Sequence, residues 1–242
     1  MFNPHLRFKL YLRAKRIRRR GDPELAHLAS LVGAGRRTID VGANRGVYSY
    51  WLARCSRVVK AFEPNPDLAQ RLAAAGLRPV TVHSVALSDG VGAAELLVPH
   101  HHSGGLDDPG GRLDALAPGV SAARFATTRA RLDDFGFDEV DFIKIDVEGH
   151  EEKVLDGAWD TITANRPALL IKLEERHSRG CLERVVGRFQ GLGYQTLFLD
   201  DGAWYGLDAL GPGQIGPSGR TIINFTFLTR QRASAFTGDS LF

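Results

Sequence analysis

The sequence predicts an α/β domain with a mostly parallel sheet covered by helices on both faces. Three observations carry this. Short apolar runs alternate with helix-period segments between Thr38 and Leu199, and strand-helix alternation with short links implies parallel pairing. A turn of small residues, Gly42 to Gly46, directly follows the first run. The 242 residues are 43% hydrophobic and 24% charged, the proportions of a globular chain.

The elements follow in order. Leu6 to Arg20 can form a helix with Leu6, Leu10, Ala14 and Ile17 on one side, stopped by Gly21-Asp22-Pro23. A second helix covers Pro23 to Leu31 and ends at Gly33-Ala34-Gly35. Thr38 to Val41 is a buried strand, Gly46 to Ala53 a helix, Arg57 to Phe62 a strand, Pro66 to Ala75 a helix and Pro79 to His83 a strand. From about Ser88 to Asp134 the rhythm breaks. Ala94 to Val98 and Arg124 to Ala130 read as strands around a loop that begins His100-His101-His102. This is a β-hairpin and loop insertion in the sheet domain, and a long loop of this kind points to a functional role or to disorder. The alternation resumes with a strand at Val140 to Ile145 and a helix at His150 to Ile162. A strand at Ala168 to Leu173, a helix at Gly180 to Leu192 and a strand at Tyr194 to Leu199 follow. Thr221 to Leu228 is the last strand, with an antiparallel return.

Charge is unevenly placed. Residues 1–20 hold eight basic residues and no acid, so removing them from a net charge of +3 leaves −5 for residues 21–242. The body offers no basic face for nucleic acid. The arm fits a solvated helix packed on the body, or a contact of residues 6–20 with anionic lipid. Residues 1–35 are grouped as arm and helix, and 36–242 as the domain. No apolar run approaches the roughly 18–20 residues that span a bilayer, and Met1 to Arg20 lacks the apolar core of a signal peptide. Cys55 and Cys181 form no CxxC pair, which excludes a disulfide scaffold and a thiolate zinc site. A cytoplasmic setting is expected, with the arm as a candidate peripheral contact at the inner face of the membrane.

The turn Ile39-Asp40-Val41-Gly42-Ala43-Asn44-Arg45-Gly46 fails the dinucleotide fingerprint, which needs glycines where Asn44 and Val47 stand. It also lacks the P-loop lysine. Asp40 at the strand end suits a cation better than a pyrophosphate, and Gly42, Ala43 and Gly46 allow close backbone approach. S-adenosylmethionine carries a sulfonium and an ammonium and no phosphate. Glu63, about 20 residues beyond the turn, is placed to accept from both ribose hydroxyls. Val85 to Asp89 can wall the adenine.

These motifs resemble the FkbM-type methyltransferase family. The likeness rests on Asp40 to Ser49, including Tyr48, then Ala61-Phe62-Glu63-Pro64 and Ala86-Leu87-Ser88-Asp89. It continues through Phe142 to Glu151 and Asn224 to Leu228. It spans residues 36 to 229. The resemblance implies a class I methyltransferase (Rossmann-like) fold with seven strands, mostly parallel, the last inserted antiparallel. It implies methyl transfer from S-adenosyl-L-methionine to oxygen on a sugar, glycan or natural product. Asp40, Gly42, Asn44, Gly46, Tyr48, Glu63, Ala86, Ser88 and Asp146 are the expected cofactor residues.

A hydroxyl acceptor needs a base within about 3 Å. Asp146, at the end of the fourth strand, is the first candidate, with Glu148 and His177 beside it. His150 reads as a helix-surface residue. No metal is expected: three consecutive histidines in extended chain point to opposite faces. The resemblance implies an acid where this chain has Lys172. That leaves three alternatives: Glu174 or Glu175 takes the acid's role, the acceptor is anionic, or activity is reduced. The rival functions are a cofactor-binding scaffold without turnover and a nucleic-acid methyltransferase recruited by the arm. Against the latter, Asp146-Val147-Glu148-Gly149 is unlike the Asn-Pro-Pro-Tyr type of base-methylating motif.

Overall fold

The computed structural model describes residues 22–99, 111–113 and 121–237. The basic arm and the histidines at 100–102 lie outside the described residues.

The centre of the sheet is β1 (Arg37–Val41), buried from Thr38 onward. It pairs in parallel with β2 (Val58–Phe62) and β7 (Val140–Ile145). β3 (Val80–His83) extends the sheet beyond β2, and β8 (Ala168–Lys172) extends it beyond β7, both parallel. β11 (Asn224–Thr229) is inserted antiparallel between β8 and β9 (Tyr194–Asp200). The expected mostly parallel sheet and inserted last strand are therefore present.

The strand number differs: the sheet has eight strands in the order β10-β9-β11-β8-β7-β1-β2-β3. The additional edge strand, β10 (Ala203–Gly206), forms a hairpin with β9. Its turn residues Asp201 and Gly202 both have positive φ, 47° and 86°, the left-handed pair that matches strand twist.

One sheet face packs Ile39, Ile143, Leu169 and Ile171 against helices α4 (Glu151–Asp156), α5 (Trp159–Asn165) and α6 (Cys181–Gly191). The other packs Phe142, Leu170 and Leu228 against α1 (Leu28–Val32) and α2 (Val47–Leu52). Leu25, Leu28, Leu31 and Val32 belong to this second core. The body thus includes the residues from Pro23, which the sequence reading groups with the arm. A terminal helix, α7 (Arg230–Thr237), follows β11 directly.

The helix expected over 150–162 is two helices broken at Gly157. A Cβ there would stand 1.9 Å from the Ser88 carbonyl oxygen, so the break admits the chain that follows β4 (Ala86–Leu87). Asp133 restarts the helix, accepting from the Thr161 amide and hydroxyl at 2.8 Å each, an N-terminal capping role. The insertion is a separate three-stranded sheet in which β5 (Gly92–Pro99) and β6 (Ala122–Ala130) pair antiparallel and β6 pairs parallel with β4. Among the described residues no helix is long and apolar enough to cross a membrane.

One buried acid sits in the second core. Glu24 is 2% exposed and accepts from Asn224 Nδ2 at 3.2 Å. Burial pushes its carboxyl up from 4.5 to about 7. A raised folded value stabilises the fold at pH below the unfolded value, and that contribution is lost as pH rises through the folded one. Wild type is therefore expected to lose about 3 kcal/mol relative to Glu24→Gln across this window. Denaturant unfolding at about pH 5 and about pH 8 measures it. Equal pH dependence in the two proteins would remove Glu24 as the source.

Candidate functional site

The turn after β1 is built on left-handed backbone. Gly42, Asn44 and Gly46 have φ of 75°, 49° and 78°. At Gly42 a Cβ would lie 1.9 Å from the Asp146 carbonyl oxygen, so the turn and the end of β7 touch through backbone. Gly42 N and Ala43 N both donate to the Phe62 carbonyl at 3.0 Å. Glu63 completes the tie: one carboxylate oxygen accepts from Asn44 N at 2.6 Å and the other from Asn65 N at 2.8 Å. Asn65 in turn caps helix α3 (Pro66–Ala74), accepting from Asp67 N and Leu68 N. The ends of β1, β2 and β7 are thereby held as one unit.

A cleft opens over these strand ends. Gly42, Asn44, Glu63 and Asp146 form its floor, with apolar walls from Phe62, Leu68, Val85 and Leu87. Leu96, Gly111 and Leu113 bring the insertion into the wall. Glu63, Asp146 and Glu148 line it, and among the described residues no lysine or arginine does.

At the far end stands a dense charge cluster. Lys172 Nζ lies 2.9 Å from Glu148 Oε1, 3.2 Å from Glu174 Oε1 and 3.5 Å from Asp146 Oδ1. Lys144, 1% exposed, lies 3.1 Å from Asp146 Oδ2, an ionic contact with poor hydrogen-bond alignment. His177 Nδ1 is 3.6 Å from Glu148 Oε2. Burial alone would push Asp146 up, but Lys144 and Lys172 outweigh it and hold the carboxyl below its usual range. Burial, reinforced by Arg112, pushes His177 below 6.5. Lys172 is raised, because the three carboxylates outweigh its burial.

Residues 40–200 match the family profile of the methyltransferase FkbM domain. The chain belongs to the FkbM methyltransferase family. Among solved structures it is similar to a methyltransferase FkbM from Methylobacillus flagellatus KT, with TM-score 0.52 and 18% identity over 80% of this chain and 44% of that one. It therefore spans less than half the length of that relative. An rRNA methylase from Streptococcus thermophilus aligns at TM-score 0.48 and 13% identity, over 84% of this chain and 91% of its own. A putative methyltransferase from Streptococcus mutans, in complex with SAH, aligns at 0.48 and 10%, over 86% and 98%. At 18% identity the likeness to the Methylobacillus protein speaks for the fold alone. No curated protein matches the chain in sequence.

In this FkbM chain the cleft fits S-adenosylmethionine by its donor set. Among the described residues three carboxylates and no lysine or arginine line it, which suits a sulfonium and opposes a pyrophosphate. Of the expected cofactor residues, Gly42, Asn44, Glu63, Ala86 and Asp146 line the cleft. Four expected cofactor residues do not. Asp40 is 1% exposed and accepts from Ser49 Oγ at 2.6 Å, because strand alternation sends it to the face opposite Val41. Burial pushes its carboxyl up to about 6. Tyr48 is buried beneath Lys144, whose Nζ is 4.8 Å from its ring centre. Gly46 starts α2 in left-handed geometry. Ser88 stands behind the wall and reaches it through His150 Nε2, at 2.9 Å.

His150 itself corrects the surface reading, since it is 4% exposed and lines the cleft. Asn65 and Arg112 are further site residues that the sequence reading does not single out. Arg112 Nε donates to the Glu148 carbonyl at 2.8 Å, and this glutamate has φ of 53°. The alternative in which Lys172 binds an anionic acceptor loses its basis, since three carboxylates surround the ammonium.

Proposed function

We propose that this chain transfers a methyl group from S-adenosylmethionine to a hydroxyl oxygen of a sugar, glycan or natural-product acceptor. The observation that carries the reading is His177: an imidazole with a depressed pKa, beside Glu148, next to an acid-lined cleft. The cofactor supplies an electrophilic methyl carbon when bound. Glu63 would hold the ribose, Phe62, Leu68, Val85 and Leu87 the adenine, and Asp146 would orient the cationic end.

The acceptor hydroxyl must lose its proton as its oxygen attacks. His177, neutral at pH 7, takes that proton, and Glu148 stabilises the imidazolium. Their 3.6 Å separation shortens to a hydrogen bond once the imidazole is charged. Sequence reasoning gave Asp146 this role first. The two lysines make it a weak base, so orientation is the role that suits it. The rest of the rate comes from alignment in a dry cleft.

Calorimetry with S-adenosylhomocysteine, then mass spectrometry of hydroxylated acceptors incubated with S-adenosylmethionine, tests the reading. Binding and a mass gain of one methylene on an acceptor are expected. Binding without methylation of any hydroxyl acceptor would favour the scaffold reading, for which Lys172 is the motivating residue. The arm's contact with anionic lipid is part of the same proposal, motivated by its eight basic residues.

A further inference from the structure

Glu148, Glu174 and His177 each offer a ligand atom, and these atoms lie within 4.8 Å of one another. Such a grouping has the geometry to hold a cation. In this chain a cation is already there, supplied by the protein. Lys172 Nζ lies within 3.2 Å of Glu148 and Glu174 and 3.5 Å from Asp146, with only 18% of the side chain exposed. Three carboxylates this close repel strongly where water is partly excluded. Two other cations balance the outer edges: Lys144 against Asp146, and Arg176 against Glu174 at 2.5 Å. Neither reaches the centre, where Glu148 has Lys172 as its lysine partner.

We propose that Lys172 is the resident cation of the acceptor site, holding Asp146, Glu148 and Glu174 in the arrangement that a bound divalent ion would otherwise impose. Lys172 is then a positioning residue. It aims Glu148 at His177, and it makes the site independent of added metal. The proposal rests on reading this cluster as the acceptor site, but its central claim concerns cation occupancy and can be measured without turnover. The ammonium donates a hydrogen bond to Glu148 Oε1 at 2.9 Å and holds Glu174 and Asp146 as ion pairs. The neutralised site has no vacancy for a hard cation.

The test is Mn²⁺ binding followed by electron paramagnetic resonance on the full chain, with wild type, Lys172→Ala and the near-isosteric Lys172→Met. Wild type is expected to leave the free Mn²⁺ signal unchanged. Lys172→Ala should bind one Mn²⁺ per chain at least about tenfold more tightly than wild type, and Glu174→Gln in that background should abolish the binding. Lys172→Met, whose side chain fills the centre, should bind less than Lys172→Ala. If Lys172→Ala does not fold alone, refolding with Mn²⁺ is expected to recover it, read by circular dichroism. Equal Mn²⁺ binding by wild type and Lys172→Ala overturns the proposal, as does a variant that neither binds Mn²⁺ nor refolds with it. Calorimetry with S-adenosylhomocysteine on the same proteins separates this outcome from a failure of the methyltransferase reading. Loss of cofactor binding in wild type would remove that reading and leave the cation result standing.

Discussion

Replacing His177 with asparagine is expected to lower turnover on a hydroxyl acceptor by about 10²–10⁴-fold, the usual contribution of a positioned base. Asparagine keeps a polar group of similar size at this mostly buried position, 13% exposed, so the fold and the cofactor affinity should stay within a few fold. The pH profile of wild type supplies a second reading. Burial and Arg112 place the imidazole below 6.5, and the base works only when neutral. The rate constant kcat/KM should therefore rise with pH through a midpoint displaced to the acid side of an ordinary imidazole, and the asparagine variant should lack that rise. Full turnover in a folded variant would transfer the role to Glu148 or Asp146.

Glu63→Ala carries the second large effect. A charged hydrogen bond contributes about 1.5–3 kcal/mol, so affinity for S-adenosylhomocysteine should fall at least about tenfold by calorimetry. The structure adds a cost that the sequence did not disclose. The amides of Asn44 and Asn65 both donate to this carboxylate, and the alanine variant leaves them to water. Thermal melting should therefore drop together with affinity. Glu63→Gln keeps one acceptor oxygen and should fall between the two. A folded alanine variant with unchanged affinity would reduce Glu63 to a brace between the first turn and α3.

The parts of the site legible in sequence were those whose chemistry is local. Gly42 and Gly46 announce left-handed backbone by composition, and Glu63 follows them at a spacing set by one strand-helix-strand unit. Asp40 shows the limit. Its place at a strand end suggested a ligand, yet Val41 lines the cleft, and alternation alone sends Asp40 the other way. The eighth strand was missed although Asp201-Gly202 is a hairpin signal, because β10 is only four residues long. The partners of His150 and Lys172 were not legible. His150 pairs with Ser88, 62 residues away, and Lys172 gathers Asp146 and Glu148 from the turn after β7 and Glu174 from the segment after β8. Such distant pairings are settled by packing, and periodicity carries no trace of them.

The short strand β4 has a consequence for how such a protein can diversify. Leu87 walls the cleft, and Ala86 and Leu87 pair with Arg129 and Ala130 of the insertion. Neither β5 nor β6 enters the eight-stranded ladder. The hairpin thus stands outside the main sheet, joined through β4 and the Arg112–Glu148 contact, and faces the cleft through Leu96, Gly111 and Leu113. Its length can be redrawn by insertion, deletion or recombination without moving the register of the main sheet. Lineages can change what the cleft admits while inheriting the Gly42 to Glu63 machinery intact, provided that β4 keeps its two paired residues.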